Sequence, residues 1–94
     1  MTLIVPEVAV ELVRDLRPLM PAIARRDRNL AQQIRRPASS IALNIAEGEC
    51  SDEGTARARY NSAAGSASET RTALQVAAAW GYIDAERSEA CLSG

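Results

Sequence analysis

The sequence predicts an all-α protein: an antiparallel up-and-down four-helix bundle whose fourth helix is short. Three observations predict it. Apolar residues recur at spacings of three and four through three long segments, the period of a helix buried along one face. Helix start and stop residues (Gly48, Ser51, Gly81, Asp84) separate the segments. The connections are short, so consecutive helices should run antiparallel. The chain, 1–94, reads as one domain with no repeat, linker or low-complexity tract.

Val5, Val8, Leu12, Leu16, Leu19 and Ile23 make one apolar stripe on a first helix of about 6–27. Pro6 fits its first turn. Pro18 and Pro21 each remove a backbone donor and crowd the preceding turn, so a kink or break is expected there. Leu30, Ile34, Ala38, Ile41 and Ile45 repeat the pattern in a second helix, about 29–47, which is expected to stop at Gly48 in the left-handed conformation glycine allows. Ser51 is the expected N-cap of a third helix, about 52–80, with Asp52 and Glu53 favourable at its positive end. Tyr60, Ala63 or Ala64, Ala67, Thr70, Leu74 and Ala78 trace its inner stripe over about 40 Å. Gly81 ends it, and Asp84 caps a fourth helix of about 84–92. That stub spans roughly 15 Å and cannot cover its neighbours. Either the fourth position stays partly open or another subunit fills it.

The core is thin. Hydrophobic residues make up 47% of the chain, but 18 of them are alanine and the only aromatics are Tyr60, Trp80 and Tyr82. Alanine buries little area, so self-association that shares apolar faces is the expected remedy. No residue is His or Lys, and all eleven basic residues are Arg, which removes the commonest general base, metal ligand and Schiff-base nucleophile together. Cys50 stands beside Glu47, Glu49, Asp52 and Glu53, a setting expected to be the opposite of one that activates a nucleophile. That acidic run lacks the spacing of a calcium loop. The chain is therefore not expected to be an enzyme, and no catalytic residue, cofactor, metal or small-molecule substrate is expected. Two cysteines without a disulfide pattern, and an N-terminus with no basic signal region and no apolar run of membrane length, point to a cytoplasmic protein with no membrane partner.

Charge is segregated. Arg25, Arg26, Arg28, Arg35 and Arg36 stand against Asp27, net +4, while Glu47, Glu49, Asp52 and Glu53 make a block of −4 at the other end of the second helix; the whole chain carries −1. The arginines offer planar, permanently charged forks for phosphate, or for carboxylates on neighbouring helices or subunits. Asn44 lies beside the apolar stripe, placed to bond nearby backbone or a polar group across the bundle.

The run from Leu30 to Gly48, LAQQIRRPASSIALNIAEG, closely resembles the signature of the four-helix-bundle family of 23S rRNA intervening-sequence proteins. Gly65-Ser-Ala-Ser-Glu69 and Trp80-Gly-Tyr-Ile83 are similar, in order, to two further family segments. The resemblance implies a ring-like homopentamer and no established catalytic activity. It also implies kinship with the accessory variability determinant of diversity-generating retroelements, which binds nucleic acid. It carries the family's positions onto Arg35, Arg36, Asn44, Glu47, Gly48, Gly65 and Glu69. Where the family has Ala this chain has Pro37, and where it has Pro this chain has Ala42, so a kink in the second helix is expected about a turn nearer its N-terminus. The expected function is a non-catalytic oligomeric bundle that binds or scaffolds RNA or a ribonucleoprotein through Arg25, Arg26, Arg28, Arg35 and Arg36. The alternative is a purely structural self-assembling bundle whose arginines pair between subunits.

Overall fold

The computed structural model describes residues 6–93; Val5, assigned to the first apolar stripe, lies outside them. Helix α1 spans Pro6–Leu16, a 3-10 turn spans Arg17–Leu19, and α2 spans Met20–Arg26. Then follow α3 (Arg28–Glu49), α4 (Glu53–Ala79) and α5 (Ala85–Ser93), with no strand among the described residues. Counting α1, the turn and α2 as one arm, four helical arms form an all-α bundle.

The break in the first arm has the expected cause. Pro18 lies in the 3-10 turn and Pro21 in the first turn of α2, where a missing N–H removes no helical hydrogen bond. Chain direction then reverses at Asp27, whose extended backbone ends α2 and whose Oδ1 accepts the Leu30 N–H at 2.9 Å. This side-chain cap starts α3 at Arg28, one residue before the expected start.

Two corrections apply to the next corner. Gly48 is not a left-handed terminator: α3 continues to Glu49, and Gly81 is the one residue with positive φ among those described. Gly48 is instead buried against Tyr60, where a Cβ would stand 2.6 Å from the ring Cε1. Its missing side chain lets α3 and α4 close on each other. The N-cap of α4 is Asp52, not Ser51; Asp52 Oδ1 accepts the Thr55 N–H at 2.9 Å, while Ser51 Oγ donates back to the Glu47 carbonyl. At the far end of α4, the Gly81 N–H bonds the Ala78 carbonyl and the Tyr82 N–H bonds the Ala77 carbonyl. With Gly81 at φ +81°, this paired arrangement closes the helix as a Schellman motif. Asp84 Oδ1 accepts from the Glu86 N–H to open α5.

Contacts between α3 and α4 dominate the fold. The two run in opposite directions: Gly48 meets Tyr60 at one end, while Leu30 and Val76 line one groove at the other. The first arm lies antiparallel on α3 as well, Ala9 clustering with Ile41 and Ile45, and Leu19 and Ile23 with Leu30 and Ile34. The larger cluster is sealed by Leu74 and Ala77 of α4 and by Tyr82, Ile83 and Cys91. The smaller one holds only Ala9, Ile41, Ile45 and Ala63 with Leu12, Ala42 and Tyr60 at its edge.

Two apolar stripes are shifted from expectation. Ala9 is buried while Val8 is 62% exposed. On α4 the buried positions are Ala63, Ser66, Thr70, Leu74 and Ala77, with Ala67 exposed and Ala78 half-buried. Small residues suit this face because α3 lies so close. Thr70 is buried without cost to its hydroxyl, which donates to the Ser66 carbonyl at 2.8 Å. Pro37 is buried within α3, which runs through it as one helix. The nine residues of α5 cover about 13 Å of α4's roughly 40 Å. Much of α4's outer face, from Arg57 to Gln75, is consequently exposed.

Candidate nucleic-acid interface

The α2–α3 corner sets the first arginines. Arg25 and Arg26 occupy the last turn of α2, where positive charge complements the helix dipole. Arg28 begins α3, and all three are exposed. Arg26 also holds the fold together, because its Nη1 donates to the Gly81 carbonyl at 3.1 Å and ties the end of α4 to the corner. The nearest acid, Asp27, is occupied as the α3 cap. Arg25 and Arg28 have no ion-pair partner among the described residues.

Along α3, Arg28, Gln32, Arg35 and Ser39 fall within about 60° of one another at 100° per residue, and Arg36 stands next to them. Arg35 and Arg36 diverge. Arg35 borders the cleft between the first arm and α3, together with Arg14, Arg17, Met20 and Ser39. Arg36 borders the groove between α3 and α4, which also holds Gln33, Ser68 and Glu69. Both edge the outer surface of α3 with Leu43, Asn44, Glu47 and Arg59. Neither makes an ion pair among the described residues; Arg36 and Glu69 line one groove without closing.

Two acids of the negative block are engaged elsewhere. Glu47 pairs with Arg59 at 3.2 Å, both half-exposed, a geometry worth at most about 1 kcal/mol. The Thr55 backbone N–H, helped by its hydroxyl, holds the Asp52 carboxyl below the usual aspartate range. No set of three His, Cys, Asp or Glu side chains that could hold a metal occurs among the described residues. No ion pair joins the positive block to the negative one among the described residues, although Arg35 and Arg36 share a surface with Glu47.

Of the remaining sequence candidates, Asn44 donates to the Ser40 carbonyl at 2.9 Å and to Ser40 Oγ at 2.8 Å. It reinforces its own helix and does not reach across the bundle. Gly65 is exposed and open, with nothing within 4 Å of a Cβ built there. Glu69 is exposed on the α4 side of the Arg36 groove. Arg14 and Arg17 are not among the arginines that the charge pattern singles out, yet they share a cleft with Arg35. Arg14 pairs with Glu11 one turn away; Arg17 has no ion pair among the described residues. Their i, i+3 spacing on the polar side of the first helix is the available signal, but only the packing of that arm on α3 connects them to Arg35.

Taken together, α2 and α3 present exposed guanidiniums on a rigid helical surface with little internal neutralisation. Such groups can donate to phosphate oxygens in bidentate fashion or pair with carboxylates of another chain. No helix among the described residues is long and apolar enough to cross a membrane. A family model described as 23S rRNA-intervening sequence protein matches residues 1–93. No curated protein and no solved structure matches the chain.

Proposed function

Since the chain belongs to the 23S rRNA-intervening sequence protein family, we propose that it is a non-catalytic, oligomeric helical scaffold that binds RNA through the arginines of α2 and α3. The observation that carries this reading is the lack of ion pairs at Arg25, Arg28, Arg35 and Arg36 among the described residues. These are permanently charged groups on an exposed surface, and phosphate is the partner their planar fork geometry suits. The net charge of −1 does not oppose it, because binding responds to the local field: Arg25 and Arg28 stand at the end of α3 away from the negative block, and Glu47, which shares a surface with Arg35 and Arg36, is paired with Arg59. Assembly complements RNA binding: repeating the arginine surface on each subunit multiplies contacts to one RNA. A pentamer, by family resemblance, and a cytoplasmic location complete the proposal.

Replacing Arg25, Arg28, Arg35 and Arg36 together by Gln tests it. The expected result is loss of retention of a 23S rRNA transcript at low salt, with unchanged helicity and unchanged mass in sedimentation. Retention equal to the parent's overturns the assignment. The second reading, a structural bundle whose arginines pair between subunits, is favoured by the outer face of α3. There Arg35 and Arg36 share a surface with Glu47 and with Leu43, which is 63% exposed. On that reading the same four substitutions dissociate the oligomer.

A further inference from the structure

Among the large hydrophobic residues described, Trp80 is the most exposed, at 69%. It is held firmly despite that exposure. Trp80 closes α4, Gly81 turns the chain at positive φ, and Tyr82 comes back beside it. The two rings lie 6.4 Å apart at their centroids and 17° from parallel, an offset stack. Tyr82 is itself half-buried against the larger core cluster, so the indole is backed by a ring anchored in the fold. Between them the Gly81 carbonyl accepts from Arg26, which draws the α2–α3 corner against this turn. The exposed Arg26 guanidinium thus stands at the turn that carries the exposed ring, and Arg25 and Arg28 belong to the same corner. The nearby carboxylates of Asp27 and Asp84 are each engaged by a helix-start N–H.

We propose that Trp80, backed by Tyr82 and set on the turn that Arg26 grips, is a stacking platform for an unpaired base of single-stranded RNA. The inference rests on the RNA-binding reading above and specifies which form of RNA this end of the bundle takes. A base offers a π-face to the indole, and its phosphates meet the guanidiniums of the adjoining α2–α3 corner; arginine beside the ring suits a polyanion better than an apolar peptide. A base inside a duplex is already stacked and cannot use the platform.

Trp80 is the only tryptophan, so its emission reports directly on the site. The full chain is titrated with a short oligo(A) RNA and with an RNA duplex of equal length, following emission and filter retention together. Expected are saturable quenching by oligo(A) and, in Trp80→Ala, about tenfold weaker oligo(A) binding with duplex binding unchanged. Trp80→Phe keeps a ring and is expected to retain most of the affinity, which separates lost stacking from lost folding. If RNA is retained but Trp80→Ala binds oligo(A) as tightly as the parent, the platform is wrong and the RNA reading stands. If neither RNA is retained, both fail. A change of oligomer mass in Trp80→Ala assigns the ring to contact with a second copy of the chain and overturns the proposal.

Discussion

Replacing Gly48 by Ala has opposite expected effects depending on one residue in the next helix. Within a helix, Ala is favoured over Gly by about 1 kcal/mol, and Gly48 sits inside α3 with no positive φ. Propensity alone makes Gly48→Ala stabilising. The packing reverses that sign. The new methyl carbon would stand 2.6 Å from Tyr60 Cε1 and 3.1 Å from both Cδ1 and Cζ, so the ring must yield by about 1 Å, and overpacking of this kind costs about 1–3 kcal/mol. Tyr60 is half-buried at the edge of the small cluster of Ala9, Ile41, Ile45 and Ala63, so it yields only by giving up part of that contact. The net expectation is a loss of about 1 kcal/mol. In a Tyr60→Ala background the obstruction is gone, and Gly48→Ala should then stabilise by about 1 kcal/mol. Urea unfolding of the four proteins at one fixed concentration measures both effects. A Gly48→Ala protein as stable as its parent when Tyr60 is present would refute the close-approach argument.

Three further outcomes follow from individual groups. Gly81→Ala should cost about 1–2 kcal/mol, because φ is +81° while the space for a Cβ is open; thermal unfolding checks it, and an unchanged midpoint contradicts the left-handed closure. Asp52 has a lower pKa folded than unfolded, so its contribution is complete above the unfolded aspartate range and fades as pH falls through the folded one. Stability of the parent should accordingly decline more steeply than that of Asp52→Asn as pH is lowered below about 5. Cys91 donates to the Asp15 carbonyl at 3.3 Å, and burial, with Asp15 nearby, pushes its thiol pKa up. A thiol reagent at mildly alkaline pH should label the exposed Cys50 first, which mass spectrometry of timed samples resolves.

The elements most legible in the sequence are those where large apolar residues alternate with charged ones. Leu30, Ile34, Ala38, Ile41 and Ile45 are all buried on α3, and the proline-driven break of the first arm follows from backbone chemistry alone. Legibility fails where side chains are small. On α4, Ser66 and Ala67 differ little in size and are 100° apart around the axis, so hydropathy cannot say which one faces α3. In the first arm Ala9 is buried and the bulkier Val8 exposed, the reverse of what hydropathy favours. Gly48 misleads because glycine ends helices and also permits close helix contacts. What distinguishes the two here is Tyr60, on another helix. The candidate arginines are visible as a charge block, but their differing roles are not. Arg26 reaches a carbonyl at Gly81, far along the chain, and Arg17 joins Arg35 only because the first arm lies on α3.

The salt dependence of RNA binding tests the central proposal most directly. If Arg25, Arg28, Arg35 and Arg36 each displace a counterion from phosphate, the logarithm of the binding constant per subunit should fall with the logarithm of salt concentration at a slope of about −3. Substitution of all four by Gln should remove that slope. A parent protein whose binding is indifferent to salt, or a substituted protein with the parent's slope, would contradict the account and leave these arginines to partners in neighbouring subunits.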